Sequence, residues 1–286
     1  MRNIDEDTVT QAVIASHAQA PDTRLRDVMT ALVQHLHGFA REVRLTEDEW
    51  AAGIRFLTEA GHMCSDRRQE LVLLSDTLGL SMLVASMNQR RTPGCTEATV
   101  LGPFHVDDAP LLPLGADIAQ GLPGEPCWVR GQVRGSDGQA VAGAQIQVWH
   151  ADADGLYDVQ HDGPHHHRGR GVLHSAADGT FHFRTIVASE YPVPVDGPTG
   201  RMLQALGRHA WRPAHLHFMV SAPGHRRLTT HVFRNGDRYL DSDAVFGVRS
   251  SLIADWVKHP PGTAPDGTTC DISFYTLDFD FVLETT

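Results

Sequence analysis

The sequence predicts an α+β protein: an N-terminal helical domain over residues 1–95, followed by an antiparallel β-sandwich over residues 96–286. Three observations carry that expectation. Apolar residues recur at helical spacing through the first ninety positions, whereas from Thr92 onward the period falls to two and glycine and proline become frequent. Turn dipeptides then punctuate the second part at short intervals. Finally, 286 residues with 41% hydrophobic and 21% charged content can bury a substantial core and fit about two domains.

In the first part, Leu25, Val28, Met29, Leu32 and Leu36 place one apolar stripe on a helix. Thr46-Glu47-Asp48-Glu49 has the spacing of a capping box, flanked by Leu45 and Trp50 as a hydrophobic staple; Trp50, Ile54 and Leu57 continue one face. Residues 71–87 are apolar on nearly every side, which predicts a single helix that is buried or faces a partner. In the second part, residues 127–133, 145–150, 181–187, 214–220, 228–234 and 272–282 alternate as strands do. Gly135-Ser136-Asp137-Gly138, Asp178-Gly179 and Asn235-Gly236 supply turns between them. Six or more short strands with such turns predict a sandwich. The patch HDGPHHHRGRG, residues 161–171, reads as an exposed loop.

Composition narrows the function. A formal charge of −11 argues against a nucleic-acid surface, and no apolar run approaches the length that spans a bilayer. The N-terminus MRNIDEDTVT is acidic where an export signal would be basic, and Cys64, Cys95, Cys127 and Cys270 form no CxxC pair. A reducing cytoplasm fits these features. Histidine is abundant at 18 residues, twelve of them between His150 and His231, whereas tyrosine is scarce at 4. That bias makes metal binding or proton chemistry worth testing.

The sharpest local signal is Arg212-Pro213-Ala214-His215-Leu216-His217-Phe218. In a strand, His215 and His217 project from one face while Leu216 and Phe218 enter the core, so two imidazoles can share one metal. The remaining ligands stay open on spacing alone. A two-histidine, one-carboxylate ferrous site would draw on Glu190, Asp152, Asp154 or Asp158. Tyr157 and Tyr191, both at expected strand ends, would instead supply phenolate oxygens that favour ferric iron. A zinc hydrolase on the two histidines, or a non-catalytic binding sandwich with a helical dimerisation arm, also fits the pattern.

Four stretches resemble the intradiol ring-cleaving dioxygenases. They are TVLGPF from Thr99, VWHAD from Val148, DGLY from Asp154, and residues 200–252 with GRHAWRPAHLHFMVSAPGHRRLTTHVF and GDRYLDSDAVFGV. The similarity runs along nearly the whole chain. YPVP, DGPTGRML, RHAWRPAHLHFM, THVF and YLDSDAVFGV, together with Asp76 and His231, are most similar to the branch that cleaves hydroxyquinol (1,2,4-trihydroxybenzene). VWHA with His150, APGHRRLTT and Leu228-Thr229-Thr230 are similar to the catechol and chlorocatechol branch, the alternative.

The resemblance implies one non-haem Fe(III) per subunit, held by Tyr157 and His215 equatorially and Tyr191 and His217 axially, with a hydroxide. It implies that Tyr191 leaves the metal to take a substrate proton and that Arg212 stabilises developing negative charge. It implies a pocket lined by Leu73, Asp76, Val100, Leu101, Gly102, Pro103, Phe104, Val193, Pro194, Arg212, His231 and Val245. His231 stands where the catechol branch carries glutamine. The expected reaction is O2-dependent cleavage of hydroxyquinol to 3-hydroxy-cis,cis-muconate, which tautomerises to maleylacetate, in aromatic catabolism. A homodimer through the N-terminal helices, with a phospholipid in an apolar channel at the seam, is implied as well.

Overall fold

The computed structural model describes residues 2–88, 92–161 and 167–286. The chain forms two compact units, Met1–Glu59 and Ala60–Thr286. The first contains helices α1 (Val9–Ser16) and α2 (Thr23–Glu42) and most of α3 (Glu47–His62). Asp22 caps α2 by accepting from the Leu25 N–H at 3.0 Å. The capping box of α3 forms as expected: the Thr46 N–H donates to Glu49 at 2.9 Å and the Glu49 N–H to Thr46 Oγ1 at 3.3 Å. Arg41 ties α2 to the start of the chain by donating to the Glu6 carbonyl and Thr10 Oγ1. The stripe of α2 is an open face in the single chain, with Leu25, Val28, Leu32, Leu36 and Phe39 all exposed.

The second unit opens with α4 (Glu70–Thr77) and α5 (Leu80–Asn88), where one helix was expected. Gly79 adopts φ +74°, which a side chain tolerates poorly, and the two helices bend by 77° across it. No single helix among the described residues is long and apolar enough to cross a membrane. Because α4 and α5 pack with the β region, the compact units part at residue 59, while sequence texture changes near residue 95.

The strands run in chain order β1 (Pro126–Gly135), β2 (Gln145–Trp149), β3 (Arg170–His174), β4 (Thr180–Ile186), β5 (Tyr191–Pro192), β6 (Trp211–Arg212), β7 (His215–Ser221), β8 (Leu228–Arg234), β9 (Ile253–Ala254), β10 (Trp256–His259), β11 (Gly262–Thr263), β12 (Thr269–Cys270), β13 (Phe274–Asp278) and β14 (Phe281–Leu283). A sixth helix, α6 (Pro198–Ala205), lies between β5 and β6. One sheet has the order β10-β13-β1-β14 with β4 also on β1; the facing sheet is β3-β2-β7-β8-β9. The pairing is mostly antiparallel, as expected, but β1–β13, β1–β14 and β8–β9 are parallel. The single strand expected at 272–282 is two, because the chain steps out after Asp278 to give the Phe279 N–H to the Arg130 carbonyl. The loop expected over 161–171 ends early: Arg170 and Gly171 open β3 and are buried. Residues 162–166 of that histidine-rich patch lie outside the described residues.

Alternation fills the space between the sheets. Val129 and Val133 of β1, Phe181 and Phe183 of β4 and Phe281 of β14 meet Ile146, Val148, Leu216, Phe218 and Val232. The outer face of the second sheet therefore carries Trp149, His217 and His231 in one cross-strand row, with His215 opposite Phe233 in the next. Gly79→Ala should cost about 1–2 kcal/mol. Urea unfolding measures this, and an unchanged midpoint would show that the bend does not need glycine.

Candidate metal centre and substrate cleft

Three local devices bring the site together above that outer face. After β2 the Asp152 carboxylate accepts from the N–H groups of Asp154 and Leu156, both at 2.9 Å, folding a tight turn that delivers Tyr157. Gly155, at φ +80°, lies so close to the next ligand candidate that a Cβ there would sit 2.8 Å from the Tyr191 Cβ. Tyr191 opens β5 and pairs with Arg212 of β6, which leads into His215 and His217 of β7.

Four donor atoms converge. The Tyr157 hydroxyl is 3.0 Å from His217 Nε2, 3.2 Å from the Tyr191 hydroxyl and 3.5 Å from His215 Nε2. The two imidazole Nε2 atoms are 3.1 Å apart. His215 Nδ1 lies 2.6 Å from the Pro213 carbonyl, an acceptor only, so Nδ1 carries the proton and Nε2 presents a lone pair. Burial holds both imidazoles well below their usual range, and so neutral; it raises the Tyr157 hydroxyl well above its usual range, with Tyr191 adding to the effect. Burial raises Tyr191 too, but Arg212 opposes it. Two neutral imidazoles and two buried phenols around one point are a donor set that fits a metal cation, whose charge would offset that of the deprotonated phenols.

His231 faces the same cluster. Its ring lies 4.2 Å from that of His217 and 4.8 Å from that of His215, its Nδ1 meets Thr99 Oγ1, and its Nε2 is buried without a partner. Among the described residues, His215, His217 and His231 form the one histidine, cysteine or carboxylate group close enough to share an ion, and it contains no carboxylate. Asp158 pairs with Arg170, Asp152 shapes its turn and meets His161, Glu190 pairs with Arg238, and Asp154 is exposed. The carboxylate alternative thus loses its candidates, whereas both tyrosines are in place.

Around the donors, Arg212 is buried and held by Asp243 through Nε and Nη2 at 3.0 and 3.3 Å; its Nη1 lies 3.4 Å from the Tyr191 hydroxyl and 3.3 Å from His215 Nε2. Phe104 stacks on Tyr157 with centroids 4.4 Å apart, and Trp149 stacks on His217 at 4.8 Å. Leu73, Val100, Val193 and Val245 meet in one apolar cluster with Met82 and Leu203. Asp76, Leu101 and Gly102 line a cleft of about 740 Å³, which also reaches Thr99 and Val100. Pro103 and Pro194 are half-buried on the same two segments. The donors do not line that cleft themselves; it comes near them at Gly102, where a Cβ would sit 3.1 Å from the His217 ring. Another cavity, lined in part by Cys95, Arg226 and Glu284, contains none of them either. His150 points elsewhere, with Nδ1 on the Ala151 carbonyl and Nε2 on Thr185, so its place in the motif is structural. Sequence reasoning missed Asp243, Thr99, Arg170 and the aromatic stack; Asp243 lay inside a quoted motif, but nothing local signals its pairing.

With this fold and site, the chain has the make-up of a metal-dependent oxygenase, and the comparisons give the family. Residues 101–285 match the family model described as "Dioxygenase", and residues 22–96 match "Catechol dioxygenase N terminus". The chain belongs to the intradiol ring-cleavage dioxygenases, enzymes that use non-haem iron. It is 60% identical over 286 residues, all of both chains, to a 6-chlorohydroxyquinol 1,2-dioxygenase of Cupriavidus pinatubonensis. It is 50% identical to a hydroxyquinol 1,2-dioxygenase of Nocardioides simplex, covering 97% of this chain and 95% of that one. The crystal structure of hydroxyquinol 1,2-dioxygenase from Pseudomonas putida DLL-E4 superposes with a TM-score of 0.87 at 43% identity, over 98% and 99% of the chains.

Burial pushes the Asp76 carboxyl from 3.8 up to about 6, against Ser81 and Arg212, which lower it, and one of its oxygens has no partner. The folded protein holds that proton more tightly than the unfolded chain, so the stability it confers is full below about pH 4 and lost as pH rises through 6. Asp76→Asn should therefore raise the stability of iron-free protein at pH 7 by roughly 2–3 kcal/mol, the gain vanishing near pH 4. Thermal melts across that range test it; a pH-independent difference would contradict the assignment.

Proposed function

We propose that the protein cleaves hydroxyquinol between its two adjacent hydroxylated carbons with O2, yielding 3-hydroxy-cis,cis-muconate and, by tautomerisation, maleylacetate. The observation that carries this is the buried convergence of the Tyr157, Tyr191, His215 and His217 donor atoms, with His217 beside Gly102, which lines one cleft together with Asp76, a carboxylate whose buried Oδ1 has no partner. The four residues would hold one Fe(III) per subunit. When bound, ferric iron withdraws electron density from the diolate and so activates the ring toward O2.

The chain supplies the rest. Tyr191, whose phenol is the less perturbed of the two because Arg212 stands beside it, would be held as a phenolate by the metal and in that form would take the proton of a ring hydroxyl onto its oxygen, leaving phenol and diolate. Arg212, fixed by Asp243, keeps one N–H toward the donors and stabilises negative charge there. Leu73, Val100, Val193 and Val245 exclude water from the ring's surroundings. Asp76 accepts a hydrogen bond from the third hydroxyl, which catechol lacks, so catechol leaves that carboxylate unpaired. His231, backed by Thr99, borders the ring. Catechol or chlorocatechol cleavage at the same metal is the alternative reading; solved catechol 1,2-dioxygenases share the fold, one from Pseudomonas arvilla C-1 with a TM-score of 0.87 at 29% identity.

The exposed stripe of α2, with Leu25, Val28, Leu32 and Leu36 at 43–57% exposure, supports a homodimer formed through the N-terminal helices, with a phospholipid chain against the same apolar surface. The four cysteines are free, which suits a reducing cytoplasm.

Purified iron-loaded protein should be red and turn over hydroxyquinol faster than catechol, and Asp76→Ala should erode that preference about 10- to 100-fold. Faster catechol cleavage by the wild type would overturn the substrate assignment. Tyr157→Phe should abolish or shift the phenolate-to-iron band; unchanged colour and metal content would overturn the ligand set. Light scattering should give twice the 31.4 kDa chain mass, and Leu32→Asp with Leu36→Asp should give monomers; a monomeric wild type would refute the dimer.

A further inference from the structure

Arg170 and Asp158 form a buried ion pair that the chemistry above does not use. Their side chains are 2% and 5% exposed, and the Arg170 Nε donates to Asp158 Oδ2 at 2.7 Å while Nη2 donates to Oδ1. Removing two charges from water is costly, so such a pair stands out where an apolar pair would serve packing as well. Its location gives it a use. Asp158 directly follows Tyr157 in the chain, and the Gln160 side chain accepts the Tyr157 N–H at 2.9 Å, so the pair grips a short, tightly closed turn. Arg170 Nη2 also donates to the Phe104 carbonyl at 3.1 Å, and the Phe104 ring is the one stacked on Tyr157. Across the β2–β3 ladder Arg170 stands opposite Trp149, which stacks on His217 with an interplanar angle of 12°.

One guanidinium therefore fixes two things at once, the turn that presents the Tyr157 phenol and the aromatic ring that covers it, while the backbone of the same residue pairs with the strand end whose indole backs a second donor. We infer that Arg170, through Asp158 and the Phe104 carbonyl, is a positioning residue for the Tyr157 phenol and for the metal it holds. The inference rests on the tyrosine–histidine ligand set proposed above. Neither Arg170 nor Asp158 touches the converging donor atoms, so their contacts reach the metal through the orientation of the phenol, beside a through-space effect of the Arg170 charge on Tyr157 and His217.

Two variants test it. Asp158→Leu with Arg170→Met removes both charges together and leaves neither stranded. Arg170→Lys keeps a charge for Asp158 but has no fork to reach the Phe104 carbonyl at the same time. In the folded double variant, iron affinity, measured by competition with a chelator, should fall about 10- to 100-fold, and the phenolate-to-iron band should move and broaden. kcat should drop with it, while KM for hydroxyquinol stays within about twofold. Arg170→Lys should fall between wild type and the double variant on every readout. A folded double variant with wild-type iron affinity, band and kcat would overturn the inference. If the double variant does not fold, Arg170→Lys decides alone, and wild-type values in all three measurements would overturn it. A wild-type protein without a phenolate band would instead sink the ligand set, a separate outcome.

Discussion

The register of three strands governs the site. β2, β7 and β8 pair so that Trp149, His217 and His231 lie in one row on the outer face, while Val148, Phe218 and Val232 enter the core. A slip of one residue would turn both histidines of β7 into an apolar sandwich and place Leu216 and Phe218 where the donors are needed. The core prevents that slip. Phe181, Phe183 and Phe281 from the opposite sheet fill the space that Phe218 enters, and Ile146 and Leu216 are fully buried beside them. Apolar packing on one side of the sheet is thus what holds two imidazole nitrogens 3.1 Å apart on the other.

That arrangement was largely legible in advance. The alternation through His215-Leu216-His217-Phe218 states which side chains share a face, and turn residues bound most strands. Three kinds of information were not legible. The break at Gly79 is one, because residues 71–87 are apolar all round and carry no periodic signal that a bend would interrupt. Strand β3 is another: Arg170 and Gly171 end a patch of histidine, glycine and arginine, and their strand character comes from pairing with β2. The third is long-range pairing of charge. Asp243 lies thirty-one residues from Arg212, and Phe104 sixty-six from Arg170; local pattern says nothing of such contacts. The proposed tyrosine ligands fell between these cases. Spacing named them only as candidates beside four carboxylates, and it is the engagement of Asp152, Asp158 and Glu190 elsewhere that separates the two sets.

Two buried arginines of the second unit have matched carboxylates, whereas one buried acid has none. Arg212 is balanced by Asp243 and Arg170 by Asp158, each with both partners almost fully buried. Asp76 has no such partner within salt-bridge reach among the described residues, and burial raises its carboxyl accordingly. An unpaired acid lining a cleft costs folding free energy for as long as it is ionised. It is therefore the group with most to gain from a ligand hydroxyl, and its cost in stability and its value in selectivity have one physical origin.

The two buried arginines show how similar pairs do different work. A guanidinium has five N–H donors, and a two-point contact with a carboxylate leaves some to spare. In Arg170 the spare donor is taken by a backbone carbonyl, that of Phe104, so none of its N–H groups reaches the donor atoms and its contacts act by holding the turn and the ring in place. In Arg212 the spare donor, on Nη1, lies 3.3–3.4 Å from His215 Nε2 and the Tyr191 hydroxyl, on atoms where the proposed reaction changes charge. Burial gives that N–H its strength, since at low effective dielectric a fixed positive charge stabilises a developing anion far more than at the surface. It also explains why Tyr191, and not Tyr157, suits the role of proton acceptor: both phenols are buried, but Arg212 bonds directly to Tyr191 alone and lowers the cost of its phenolate there.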